Sequence, residues 1–82
     1  MWLVNFANGN YVDFYAIDIE ELMLLIVEYT GNDRKYFEKA MNGFKNDSDR
    51  ENQYIALFNN LYNRYGADGI NCIYEIKSKY GE

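Results

Sequence analysis

Thirteen carboxylates are the chemical groups this chain has in quantity, and no histidine accompanies them. The commonest general base and the commonest metal ligand are therefore missing. Ser48 and Ser78 are the only serines, and neither has an activating base close by in the sequence. Ser48 with Glu51 reads instead as a helix-capping box. Cys72 is the one thiol. It sits in an apolar run with no neighbouring cation to make it a thiolate, so it reads as a small buried hydrophobe. Carboxylate pairs remain. Glu20 and Glu21 are adjacent and diverge by about 100° on a helix, while Glu21 and Glu28 lie two turns apart on one face. Glycosidase or metal chemistry would need partners from another element. The stretch "NDSDRE", residues 46 to 51, lacks the glycine and the distal glutamate of a calcium loop. Asn8-Gly9 and "GADG", residues 66 to 69, do not make a phosphate loop. The expectation is no catalytic centre, no metal and no cofactor. A small carboxylate-based enzyme stays as an alternative that Glu21→Gln would test.

The carboxylates are unevenly placed. Residues 1 to 33 hold Asp13, Asp18, Glu20, Glu21, Glu28 and Asp33 with no Lys or Arg, whereas all eight bases fall later. The whole net charge of −5 thus comes from the opening third. Direct contact with a nucleic-acid backbone needs a basic face, so DNA or RNA is not the expected direct ligand. A uniform negative field steers association with a basic protein surface. Tyr11 and Tyr15 flank Asp13 and supply the aromatic anchors that interfaces favour. The predicted partner-binding set is Tyr11, Asp13, Tyr15, Asp18, Glu20, Glu21, Glu28 and Asp33. Its partner is a basic surface of a larger protein or nucleoprotein complex, with the acids standing where phosphates would.

Positioning these groups falls to a single domain, residues 1 to 82. "WLVNFANGNYVDFYA" alternates as a hairpin. A three-residue Asn8-Gly9-Asn10 loop, with Asn10 left-handed, pairs Val4 with Phe14, Phe6 with Val12 and Trp2 with Ala16, which gathers the apolar residues on one face. Leu3, Asn5, Tyr11, Asp13 and Tyr15 take the other. Asp18 and Glu21 form a capping box for a helix carrying Ile19, Leu22, Met23 and Ile26, ended by Gly31. Asn32 or Asp33 caps a second helix to about Met41. Phe44 anchors a polar connection. The Ser48–Glu51 box opens a third helix with Tyr54, Leu57, Phe58, Leu61 and Tyr62 on one stripe, ended by Gly66. "INCIYEIK", residues 70 to 77, reads as a strand with Ile70, Cys72, Tyr74 and Ile76 facing the core, although Ile70, Ile73 and Tyr74 also suit a helix. "SKYGE" is expected to fray.

The fold class is α+β, in the order β-β-α-α-α-β. A small, mostly antiparallel three-stranded sheet in the order 2-1-3 carries its helices on one face. The other face, with Leu3, Tyr11, Asp13, Tyr15, Ile73 and Glu75, is left open. It could seat a partner or a second copy of the chain, which makes a homo-oligomeric structural protein the main alternative.

On the acidic set Asp13, Asp18, Glu20, Glu21, Glu28 and Asp33, carried on a hairpin-plus-helix scaffold in a short chain without cysteine pairs, the chain resembles the small acidic proteins with which bacteriophages and mobile elements disable host defence, anti-CRISPR proteins above all. The likeness is one of profile across the whole chain. It implies a non-catalytic inhibitor that occludes a basic, nucleic-acid-binding surface, such as that of a CRISPR effector, in the bacterial cytoplasm. A lone cysteine fits that reducing compartment. The longest apolar run, "LMLLIV", is too short to span a bilayer, and no membrane partner is expected.

Overall fold

Only glycine enters the left-handed region cheaply, and that preference sets the hairpin. In the computed structural model, which describes residues 1–62 and 69–76, β1 (Trp2–Phe6) and β2 (Tyr11–Phe14) are joined through Gly9 at φ +90°. Gly9 N–H donates to the Phe6 carbonyl at 2.9 Å, and Phe6 N–H donates to the Asn10 carbonyl at 2.8 Å. This is a type I turn closed by a glycine bulge. The Asn8 carboxamide oxygen accepts from Asn10 N–H at 2.9 Å and holds the turn. The three loop residues are therefore Ala7, Asn8 and Gly9, one position earlier than the sequence reading, and Asn10 is not left-handed. The pairing is Trp2 with Phe14 and Val4 with Val12, two residues from the expected register. Two residues preserve parity, so the faces are as expected.

Helix α1 (Ile19–Tyr29) starts where Asp18 accepts from Glu21 N–H at 2.8 Å. The Glu21 carboxylate reaches back to Ile17 N–H at 3.4 Å. Gly31, at φ +78°, follows its C-terminus. Asp33 caps α2 (Arg34–Met41), accepting from Lys35 and Tyr36 N–H. A 3-10 turn, Asn42–Phe44, leads on to α3 (Arg50–Tyr62). Ser48 does not cap α3. The Asp47 carboxylate accepts from Asp49 N–H at 2.8 Å, and Asp49 accepts from the Asn52 side chain at 2.7 Å. The helix begins at Arg50, two residues beyond the serine, so Ser48 stands outside the cap position.

The chain closes with β3 (Ile70–Glu75), which pairs antiparallel with β1, giving the order β2-β1-β3. An irregularity falls between Asn5 and Phe6: Cys72 opposes Asn5 while Ile70 opposes Phe6, so Asn71 is the extra residue of a bulge. Its side chain donates to Asn5 Oδ1 at 3.2 Å and to the Phe6 carbonyl at 3.4 Å. The bulge resets parity. Ile70 and Ile73 both reach the core side, and Cys72 and Tyr74 turn to the open side, opposite Asn5 and Leu3. The expected face assignment of β3 is corrected accordingly. Asn59 of α3 anchors the start of the strand, exchanging two hydrogen bonds with Ile70, at 2.8 and 3.0 Å.

Helices cover one face of the sheet. Trp2, Val4 and Phe6 pack with Ile19, Leu22, Met23, Ile26 and Val27 of α1, and Phe37, Met41, Tyr54 and Phe58 complete the buried core. Phe37, Phe58 and Tyr62 form an aromatic cluster with ring centroids 5.2 to 6.0 Å apart. Phe14 is only half-buried and meets Tyr29 edge-on at 5.5 Å. Expectations for Gly66, the turn at 67–68 and the tail 77–82 lie outside the described residues.

Candidate functional site

The open sheet face is built by alternation. β1 presents Leu3 and Asn5, β2 presents Tyr11 and Asp13, and β3 presents Cys72 and Tyr74. Tyr15 continues the alternation past the end of β2. Tyr11, Tyr15 and Tyr74 are 61%, 78% and 50% exposed. No described helix lies over them. The three strands contain no Lys or Arg, and Asp13 has no ion pair among the described residues. The face is therefore aromatic, with one carboxylate at its β2 margin that has no counter-charge among the described residues. Its centre is polar and ordered. Asn5 donates to the Asn10 carbonyl at 3.4 Å and accepts from Asn71, and Cys72 Sγ lies 3.2 Å from the Tyr74 hydroxyl. That hydrogen bond to Cys72 holds the Tyr74 phenol above its ordinary value.

The rest of the expected acidic set is spread around the molecule and largely occupied. Asp18 and Glu21 cap α1, and Asp33 caps α2. Glu20 accepts from Arg50 Nε at 3.0 Å and from the Tyr54 hydroxyl at 3.3 Å, facing α3. Glu28 binds Arg34 at 2.9 Å. The Arg34 guanidinium is held above its usual value chiefly by its hydrogen bond to Glu28, with Glu38 and Glu21 adding to the field. Of the eight residues expected to bind a partner, the fold brings together Tyr11, Asp13 and Tyr15. The five helix-associated acids do not join them in one patch. Leu3 was placed here by parity. Tyr74 and Cys72 were missed, and the Ile70–Ile73 spacing was the signal, since two core-facing residues three apart require a bulge in a strand.

Two shallow grooves lie elsewhere. One of about 230 Å³ between the helices is lined by Glu20, Leu24, Glu38, Met41, Lys45 and Tyr54, among others. Another of about 320 Å³ runs past Trp2, Ile17, Ser48, Arg50 and Glu75. In the first, Glu20 is the hub of the Arg50–Tyr54 cluster and its bonding serves the helix packing. Among the described residues, no group of three or more Cys, Asp or Glu is placed to hold a metal ion. No described helix is long and apolar enough to cross a membrane.

No protein-family model, curated protein or solved structure matches the chain.

Proposed function

We propose that the chain is a non-catalytic binding module that docks onto a basic surface of a larger protein through the open face of its sheet. The observation that carries this is the coincidence of exposed Tyr11, Tyr15 and Tyr74 with Asp13, which has no ion pair among the described residues, on a face whose strands hold no Lys or Arg. Aromatic side chains present large contact areas at low entropic cost, and an arginine from a partner can both stack on a tyrosine and pair with Asp13. Charge also separates this reading from self-association. A second copy docked face to face would bring three more strands without Lys or Arg, leaving Asp13 desolvated with no strand residue to supply a counter-charge.

The dispersal of the other acids speaks against a phosphate mimic built from the whole acidic third. A narrower version is supported: one carboxylate among tyrosines, set against an Arg- or Lys-bearing site. If that site normally binds nucleic acid, occupying it makes the chain an inhibitor in the manner of anti-CRISPR proteins. The compartment proposed is the cytoplasm, where Cys72 stays reduced.

A photo-crosslinking residue installed at Leu3 or at Tyr36 tests the reading. Tyr36 is exposed on α2, away from the sheet. A discrete adduct with a larger protein from Leu3 alone supports it. Adducts from Tyr36 alone, or equal labelling from both positions, count against it.

A further inference from the structure

The β2 margin of this face offers more than side chains. Phe6 and Asn10 are a hydrogen-bonded pair across the hairpin, with Phe6 N–H donating to the Asn10 carbonyl. Such pairs alternate along an antiparallel ladder, so Val4–Val12 and Trp2–Phe14 are the next two. The backbone groups of Val12 and Phe14 therefore point to β1, and those of Tyr11 and Asp13 point outward. β2 is an edge strand in the order β2-β1-β3. Tyr11 and Asp13 thus combine outward-facing N–H and C=O groups with side chains on the open face.

We infer that β2 accepts an added strand from its partner, and that the added segment is extended and carries Arg or Lys at alternate positions. This rests on the docking face proposed above and names the form its partner takes. Edge addition supplies main-chain hydrogen bonds, and the residue opposite Asp13 on the same face supplies specificity. A cation there forms a cross-strand charge pair, and its neighbours two residues away lie over Tyr11 and Tyr15. A second copy is disfavoured at this edge. β2 contains no Lys or Arg, so a second β2 strand sets no cation opposite Asp13 in any register, and the register centred on Asp13 sets it against its own counterpart, where like charges are destabilising.

The test is an NMR titration of the isotope-labelled full chain with a short synthetic peptide alternating Thr and Arg. Two controls are used: the Thr/Glu alternation, and the Thr/Arg peptide N-methylated at alternate amides. The expected result is protection of the Tyr11 and Asp13 amides from exchange, with binding at least about tenfold tighter than either control. Asp13→Asn should remove the preference for arginine over glutamate. Shifts at Leu3, Cys72 and Tyr74 without protection of the edge amides would overturn strand addition while leaving the docking face standing. No shift on the face at about 1 mM peptide would overturn both. Dimerisation of the chain alone through β2 would overturn the choice of occupant.

Discussion

Glu20 and Arg50, thirty positions apart, meet through an Oε1–Nε contact of 3.0 Å that ties the first helix to the start of the third. The acid belongs to the cation-free third of the chain and the base to the remainder. Folding thus pairs two of the six acids of that third with bases from later in the chain. Glu28 and Arg34 repeat the pattern locally at 2.9 Å.

Both pairs are substantially exposed, and exposed ion pairs contribute about 0–1 kcal/mol. Glu20→Gln should lower stability by no more than about 1 kcal/mol in urea unfolding and leave the helical circular dichroism unchanged. It should also leave partner capture intact, because Glu20 faces α3 and not the open sheet.

Gly9 and Asn10 give a second expectation. Gly9→Ala forces a side chain into φ +90° and should cost about 1–2 kcal/mol in thermal unfolding. Asn10→Ala should be close to neutral, since only its backbone holds the turn. A left-handed Asn10 would reverse the order.

The hairpin and β3 show what could be read in advance. Alternating apolar residues specified which face of β1 and β2 is buried, and any shift by two residues keeps that pattern. Parity was therefore readable while register was not. Register depended on which loop residue takes the left-handed conformation, and glycine outcompetes asparagine there. In β3, Ile70 and Ile73 fit neither a regular strand face nor a convincing helix. The Asn71 bulge reconciles them, and its hydrogen bonds run to Asn5 and Phe6, partners that no local pattern identifies. Asp18, Glu21 and Asp33 were readable as caps because capping is local. The ion pairing of Glu20 was not, because it depends on how α1 meets α3. The open face was foreseen as a face; the presence of Tyr74 and Cys72 on it was not.

The core is centred away from β2. Phe37 is fully buried between Phe58 and Tyr62, whereas Phe14 is half-buried against Tyr29. Phe37→Ala should cost about 3–5 kcal/mol and leave little folded protein at 37 °C. Phe14→Ala should cost clearly less and remain folded in a denaturant titration.

Two buried phenols predict opposite effects. The Tyr62 hydroxyl is buried without a hydrogen-bond partner among the described residues, so Tyr62→Phe should be neutral or stabilise by up to about 1 kcal/mol. The Tyr54 hydroxyl donates to Glu20, so Tyr54→Phe should cost about 1 kcal/mol. Burial first, then the nearby charge of Asp33 for Tyr62 and of Glu20 for Tyr54, raises both phenols above their ordinary value of 10. Folding thus favours their protonated forms. That contribution is fully present below pH 10 and is lost as pH rises through the folded-state values. Stability measured against pH should fall at the alkaline end, and less steeply in the double Phe variant.

The account turns on Asp13 at the open sheet face, as opposed to the acids of the helices. The direct measurement is the yield of the Leu3 photo-adduct in two charge reversals, Asp13→Lys and Glu28→Lys, each first checked for an unchanged fold. Docking through the sheet predicts that Asp13→Lys abolishes the adduct and Glu28→Lys leaves it at wild-type yield. An adduct that survives Asp13→Lys and disappears with Glu28→Lys would place the partner on the helices and contradict the account.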